Sequence, residues 1–175
     1  PFMVIATQVQ AGAEGTYLLT DVQVDRFLLR VFSGYSSKGE EKQVIAGIDA
    51  IDAPDIHAVT TLDEIKELQE VAKGVHVSPD IIDYITSIVE FLRADPDVLS
   101  GPSTRSSIAL YKCSRVLALL DGRDFVIPDD IKHLVLSTVE HRVRVKPEAE
   151  MDDVTPRIIL DRALEQVPVP NLEIV

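Results

Sequence analysis

The sequence predicts a mainly α protein in which two short strands, the end of an α/β unit, precede an all-helical domain. Three observations carry that expectation. Phe2–Thr7 and Phe27–Phe32 are short apolar runs of strand length, the second interrupted by Arg30. From Thr61 onward apolar residues recur at helical spacing, the stretches opening on a residue suited to cap a helix or on a helix-opening proline. Proline and glycine fall between those stretches rather than inside them.

Taken in order, Phe2–Thr7 reads as a strand buried on both faces of a parallel sheet. Val9 to Thr20 is loop-like, with Gly12 and Gly15, and Asp21–Arg26 is a short helical turn before the strand Phe27–Phe32. Ser33–Ser37 is a turn and Lys38–Ile48 a helix with Glu40 and Glu41 in its first turns. Asp49 to Val59, with Pro54 and several aspartates, is the linker candidate. The expected organisation is therefore 1–52, a linker at 53–60, and a helical domain at 61–175. Thr61-Leu62-Asp63-Glu64 is a capping box whose helix stops at Gly74. Ser78-Pro79-Asp80 opens the next, with Ile81, Ile85, Ile88, Val89 and Leu92 on one face and Asp95-Pro96 as its stop. Ser103 or Thr104 caps a helix carrying Ala109, Cys113, Val116, Leu117 and Leu120, which Asp121-Gly122 ends. Pro128 opens a helix with Asp129 and Asp130 in its first turn, and Thr155-Pro156 opens the last, which Pro168 and Pro170 end.

Composition narrows the function classes. A net charge of −12 disfavours unselective binding to nucleic acid or anionic membrane. The single cysteine excludes an internal disulfide framework and fits a reducing compartment, the cytoplasm. No apolar run approaches membrane-spanning length and no signal peptide is seen. The chain opens directly inside an apolar run, as a piece of a longer protein would.

Most motifs have structural explanations. Gly34-Tyr35-Ser36-Ser37-Lys38-Gly39 has the glycine spacing of a phosphate loop, but Glu40 follows where lysine should stand, so it reads as a turn. Asp63-Glu64 belongs to a helix cap rather than to a metal site. His57, His76, His133 and His141 have no zinc-ligand spacing with each other or with Cys113, itself on an apolar stripe. Arg142, Arg144 and Lys146 alternate with Val143 and Val145, which reads as the solvated face of an extended segment. Arg105 is the exception. A cation in the first turn opposes the helix dipole at about 0.3–1 kcal/mol, yet suits a bound phosphate, towards which helix N–H groups and a guanidinium converge. It either folds back onto a surface carboxylate or meets such an anion. Arg26, between Asp25 and Phe27, either forms a structural ion pair or projects into a neighbouring subunit to neutralise a transferring phosphoryl group.

Together the segments resemble the MoxR branch of the AAA+ ATPases over nearly the whole chain. The residues concerned are Val4-Ile5-Ala6-Thr7-Gln8, Glu14-Gly15-Thr16-Tyr17, Gln23-Val24-Asp25-Arg26-Phe27, Gly34-Tyr35, Val77-Ser78-Pro79, Asp83-Tyr84-Ile85, Gly101 to Arg105, Gly122 to Val126, Pro128 to Ile131, and His141-Arg142. The resemblance implies that the two strands are the remnant of an AAA+ α/β core and that 61–175 is its helical lid. It implies a ring-forming machine, a hexamer by preference, that hydrolyses ATP with Mg and remodels partners, often ones with von Willebrand factor A domains. By the same resemblance Arg26 matches the arginine finger, and Arg105, beside Thr104, the lid arginine that touches the terminal phosphate of its own subunit. Such proteins' phosphate loop and metal-binding acidic pair are not among these 175 residues, so the nucleotide and Mg would be held mainly elsewhere and this chain would not be active alone. Val9 stands where the family pattern expects the water-positioning Asn, and Leu18 and Thr20 replace expected prolines. That departure keeps open a second reading, a non-catalytic acidic helical module that binds proteins. The resemblance also leads one to expect Phe2–Thr7 to pair with Phe27–Phe32, with another chain, or with a separately supplied half.

Overall fold

A computed structural model describes residues 2–8 and 19–171. In chain order its elements are α1 (Asp21–Val24), α2 (Lys38–Ala46), α3 (Ile48–Asp52), α4 (Leu62–Gly74), α5 (Pro79–Ala94), β1 (Val98–Ser100), α6 (Thr104–Leu120), α7 (Pro128–Val139), β2 (Arg144–Val145), α8 (Pro147–Met151) and α9 (Pro156–Gln166), with a 3-10 turn at Glu140–Arg142. The long helices start where the caps lie: the hydroxyls of Thr61, Ser78, Ser103 and Thr155 accept the amides of Glu64, Ile81, Arg105 and Ile158.

Helix α5 is the centre of the core. It buries Ile81, Ile85, Ile88, Val89 and Leu92 and packs against α6, α7 and α9. These contribute Leu110 and Ala118, then Ile131, Val135 and Val139, and finally Ile159, Leu160 and Ala163. Each large aliphatic side chain so buried stabilises the fold by about 1.5–3 kcal/mol relative to exposure. All of that stabilisation is gathered between Val75 and Val167, because no described residue before Val75 is buried. Helices α2 and α3, split at Gly47, bury nothing.

The mainly α class is the observed one, but the two strands lie elsewhere than expected. Neither Phe2–Thr7 nor Phe27–Phe32 is a strand, and the two do not pair. A strand needs a neighbour offering a ladder of backbone groups. Residues 2–8 are exposed and have none, while Phe27–Phe32 takes a single such bond, from the Arg30 amide to the Ser137 carbonyl at 2.8 Å. The strands that do form are β1 and β2, antiparallel, with Val98 opposite Val145 and Ser100 opposite Arg144. At three and two residues they are too short to show alternation in the sequence.

Two local features place the ends of α6. A Cβ at Gly101 would stand 2.9 Å from Arg93 Cγ and 3.0 Å from its Cα, so only glycine lets the chain turn against α5 there. Arg93 Nε then donates to the Pro102 carbonyl at 2.9 Å, fixing the approach to Ser103. At the other end Gly122 has φ +74° and stops the helix. Asp130 receives Arg123 on both oxygens, at 2.6 and 2.9 Å, and the Ile127 amide at 2.9 Å, which clasps the α6–α7 corner.

Candidate functional site

The β1–β2 pairing brings Arg144 alongside Ser100, and so sets the 3-10 turn Glu140–Arg142 beside the N-terminus of α6. Helix α1 and the turn after it lie across this junction, enclosing a shallow cleft of about 260 Å³ whose lining includes Asp21, Asp25, Ser103, Arg105, His141, Arg142 and Arg144. With His141 neutral, the lining carries one positive charge in excess, in a chain whose net charge is −12.

Asp25 is the hub. Its carboxylate accepts from Arg105 Nη1 at 2.8 Å and from Ser103 Oγ at 3.0 and 3.3 Å. Arg142 Nε stands 3.3 Å away, an ion-pair contact set off the N–H axis and therefore not a hydrogen bond. Burial pushes the Asp25 carboxyl up, but the hydrogen bonds from Arg105 and Ser103 and the charge of Arg142 outweigh it and hold it below its ordinary value. Asp21 is engaged in its turn by Arg144.

Arg142, with only 2% of its side chain exposed, is the structural anchor. It donates to the carbonyls of Thr138 (2.7 Å), Phe27 (2.6 Å) and Asp25 (3.2 Å), the last two flanking Arg26. The expectation of a solvated face holds for Arg144 and Lys146, which are exposed, and is corrected for Arg142, which lies in the 3-10 turn ahead of the strand and points inward.

His141 Nε2 lies 3.2 Å from the Phe27 carbonyl, which can only accept, so Nε2 carries the proton and the buried Nδ1 is left without a partner. Burial, reinforced by the Arg142 charge, pushes its pKa down to about 4. The unfolded imidazole takes up its proton near its ordinary value of about 6.5, above the folded one, so stability is full above that pH and declines as pH falls to about 4. Discounted for the ring's partial exposure, the loss is on the order of 1 kcal/mol. Urea unfolding at about pH 7 and pH 4.5 should show it in the parent protein and not in His141→Gln; equal slopes would contradict it. The groups facing the ring are Arg142, Arg30 and Asp25, and the last titrates below this window.

The sequence-selected residues divide as follows. Arg105 lines the cleft, more than half exposed, with Asp25 as carboxylate partner, so the fold-back alternative describes its present contact. Thr104 is exposed at the first position of α6, and the cap is Ser103. Arg26 is exposed and has no ion pair among the described residues; its neighbour Asp25 turns to Arg105 and Arg142 instead. Cys113 is half-buried, its thiol pushed up by burial. Val9 and Leu18 lie outside the described residues. Ser103, Arg142 and His141 as contributors to the cleft escaped sequence reasoning, although Gly101 to Arg105 and His141-Arg142 were among the residues of the resemblance.

The cleft fits a nucleotide's phosphate better than its metal ion. Arg105, Arg144 and the Ser103 hydroxyl at a helix N-terminus are anion ligands, whereas both lining carboxylates are already engaged by guanidinium groups. No helix among the described residues is long and apolar enough to cross a membrane.

Residues 90–163 match the AAA lid domain. The chain is 39% identical to the Bacillus subtilis protein YeaC over 97% of its own length and 53% of that protein's. It is 32% identical to the chaperone MoxR1 of Mycobacterium tuberculosis over its whole length and 48% of that protein's. A crystal structure from Cytophaga hutchinsonii, of a protein named provisionally as an ATPase, superposes with a TM-score of 0.86 at 26% identity, over 94% of this chain and 53% of that one. The chain thus spans about half the length of these relatives.

Proposed function

Because this chain belongs to the MoxR-type AAA+ ATPases, we propose that it supplies the arginine finger and lid of an ATP-hydrolysing remodelling machine. In this reading 61–175 is the lid, 53–60 the linker and 1–52 the end of the nucleotide-binding core. Arg105, beside Thr104, contacts the terminal phosphate of ATP bound in its own subunit. Arg26 reaches the nucleotide of the next subunit in a homo-oligomeric ring, a hexamer by preference, acting in the cytoplasm on a partner with a von Willebrand factor A domain. The observation that carries the reading is the positive cleft at the start of α6 in an acidic chain, one residue from an exposed Arg26 with no ion pair among the described residues. When bound, Mg-ATP would be held by a phosphate loop and acidic pair that these residues do not contain.

The isolated chain should therefore show no ATP turnover, and turnover should appear when it is completed with a nucleotide-binding half carrying G-x-x-x-x-G-K-[ST]. Turnover by the chain alone would contradict the assignment. The rival reading, a non-catalytic protein-binding module, is favoured by Val9 and by an open groove on α4 lined by Val59, Leu68 and Val71 with Glu64 and Glu67. It predicts a completed protein that binds partners and hydrolyses nothing.

A further inference from the structure

We propose that Asp25 is a built-in competitor for the anion position of Arg105, parking the lid guanidinium until a phosphate displaces the carboxylate. The inference rests on reading Arg105 as a phosphate contact.

The geometry separates what is fixed here from what can exchange. Asp25 sits where an anion would sit, at the N-terminus of the 17-residue helix α6, receiving both the Ser103 hydroxyl and the Arg105 guanidinium. Its other side faces Arg142, whose buried guanidinium also holds the Asp25 and Phe27 carbonyls. Arg105 is 56% exposed and needs only a side-chain rotation to leave, whereas Arg142 is enclosed and keeps the carboxylate charge balanced after Arg105 has gone. The exchange thus strands no buried charge. A polyphosphate brings more charge than a carboxylate and can win the guanidinium, but only at an affinity lowered by the competition. Because Asp25 adjoins Arg26, phosphate occupancy at Arg105 and the tightness with which the Arg26 turn is held to the lid are reciprocally linked.

The test uses the chain itself with inorganic pyrophosphate as probe, followed through the Nε–Hε NMR signal of Arg105 in the parent, in Asp25→Asn and in Asp25→Ser, and through amide shifts at the α6 N-terminus in Arg105→Ala. Amide dispersion over α5–α7 checks folding. Loss of the competing charge should tighten binding roughly tenfold in both Asp25 variants, with the Arg105 signal already shifted towards its free position before any pyrophosphate is added. Affinity unchanged or weaker in both variants, with binding still lost in Arg105→Ala, would overturn the competition and leave the role of Arg105 intact. Binding indifferent to Arg105→Ala, or absent from every variant, would overturn both.

Discussion

Arg26→Ala should reduce ATP turnover about 10³-fold or more in rings where this chain is completed by a nucleotide-binding half, the range over which a guanidinium finger acts on a transferring phosphoryl group. Arg105→Ala should reduce it about 10²- to 10³-fold, as removal of one donor to a charge developing in the transition state does. Steady-state turnover at saturating ATP, on rings sized by light scattering, measures both. The two losses differ in origin. Arg26 is exposed and engages no carboxylate among the described residues, so its removal should leave the fold of the chain untouched. Arg105 gives up one surface ion pair with Asp25, of the kind that contributes roughly 0–1 kcal/mol. A fall in activity with unchanged unfolding midpoints would therefore be chemical rather than structural. Loss of stability matching the loss of turnover would argue the opposite.

Arg142→Ala should destabilise the isolated chain by about 3 kcal/mol, because its removal takes an ion-pair partner from a partly buried carboxylate and a donor from three backbone carbonyls. The thermal midpoint should fall on the order of 10 °C, and Arg142→Lys should recover only part of it, since an ammonium cannot span the same acceptors in one plane. The unfolding should not be uniform. Hydrogen exchange should accelerate first at residues 21–30, which meet the lid through Arg142, His141, Arg144 and the Arg30–Ser137 bond, while the α5 core keeps its protection. Equal acceleration throughout would mean that Arg142 supports the core rather than the attachment of α1.

What was legible in the sequence was what is local. Thr61, Ser78, Ser103 and Thr155 announce their helices because a cap and an apolar stripe, joined by a proline after Ser78 and Thr155, act within a few residues. Arg105 was legible for the same reason, as a cation set against its own helix dipole. The contacts that make the cleft were not. Asp25 meets Arg105 across 80 residues and Arg142 reaches the Asp25 carbonyl across 117, separations that no periodicity encodes. Alternation of Arg142 with Val143 and Val145 suggests a strand running through Arg142, whereas a 3-10 turn breaks that register. The apolar runs at Phe2–Thr7 and Phe27–Phe32 have strand composition, but composition supplies no hydrogen-bonding neighbour.

In the proposed mechanism one guanidinium serves its own subunit's nucleotide and the other serves the next subunit's, a division that mixing two inactive variants puts to the test. In rings assembled from Arg26→Ala and Arg105→Ala subunits together, some interfaces pair an intact Arg105 site with a neighbour's intact Arg26. Turnover should reappear in the mixture in proportion to those interfaces. A mixture as inactive as either variant alone, in rings of normal size, would show that the two arginines do not divide the work across the subunit boundary.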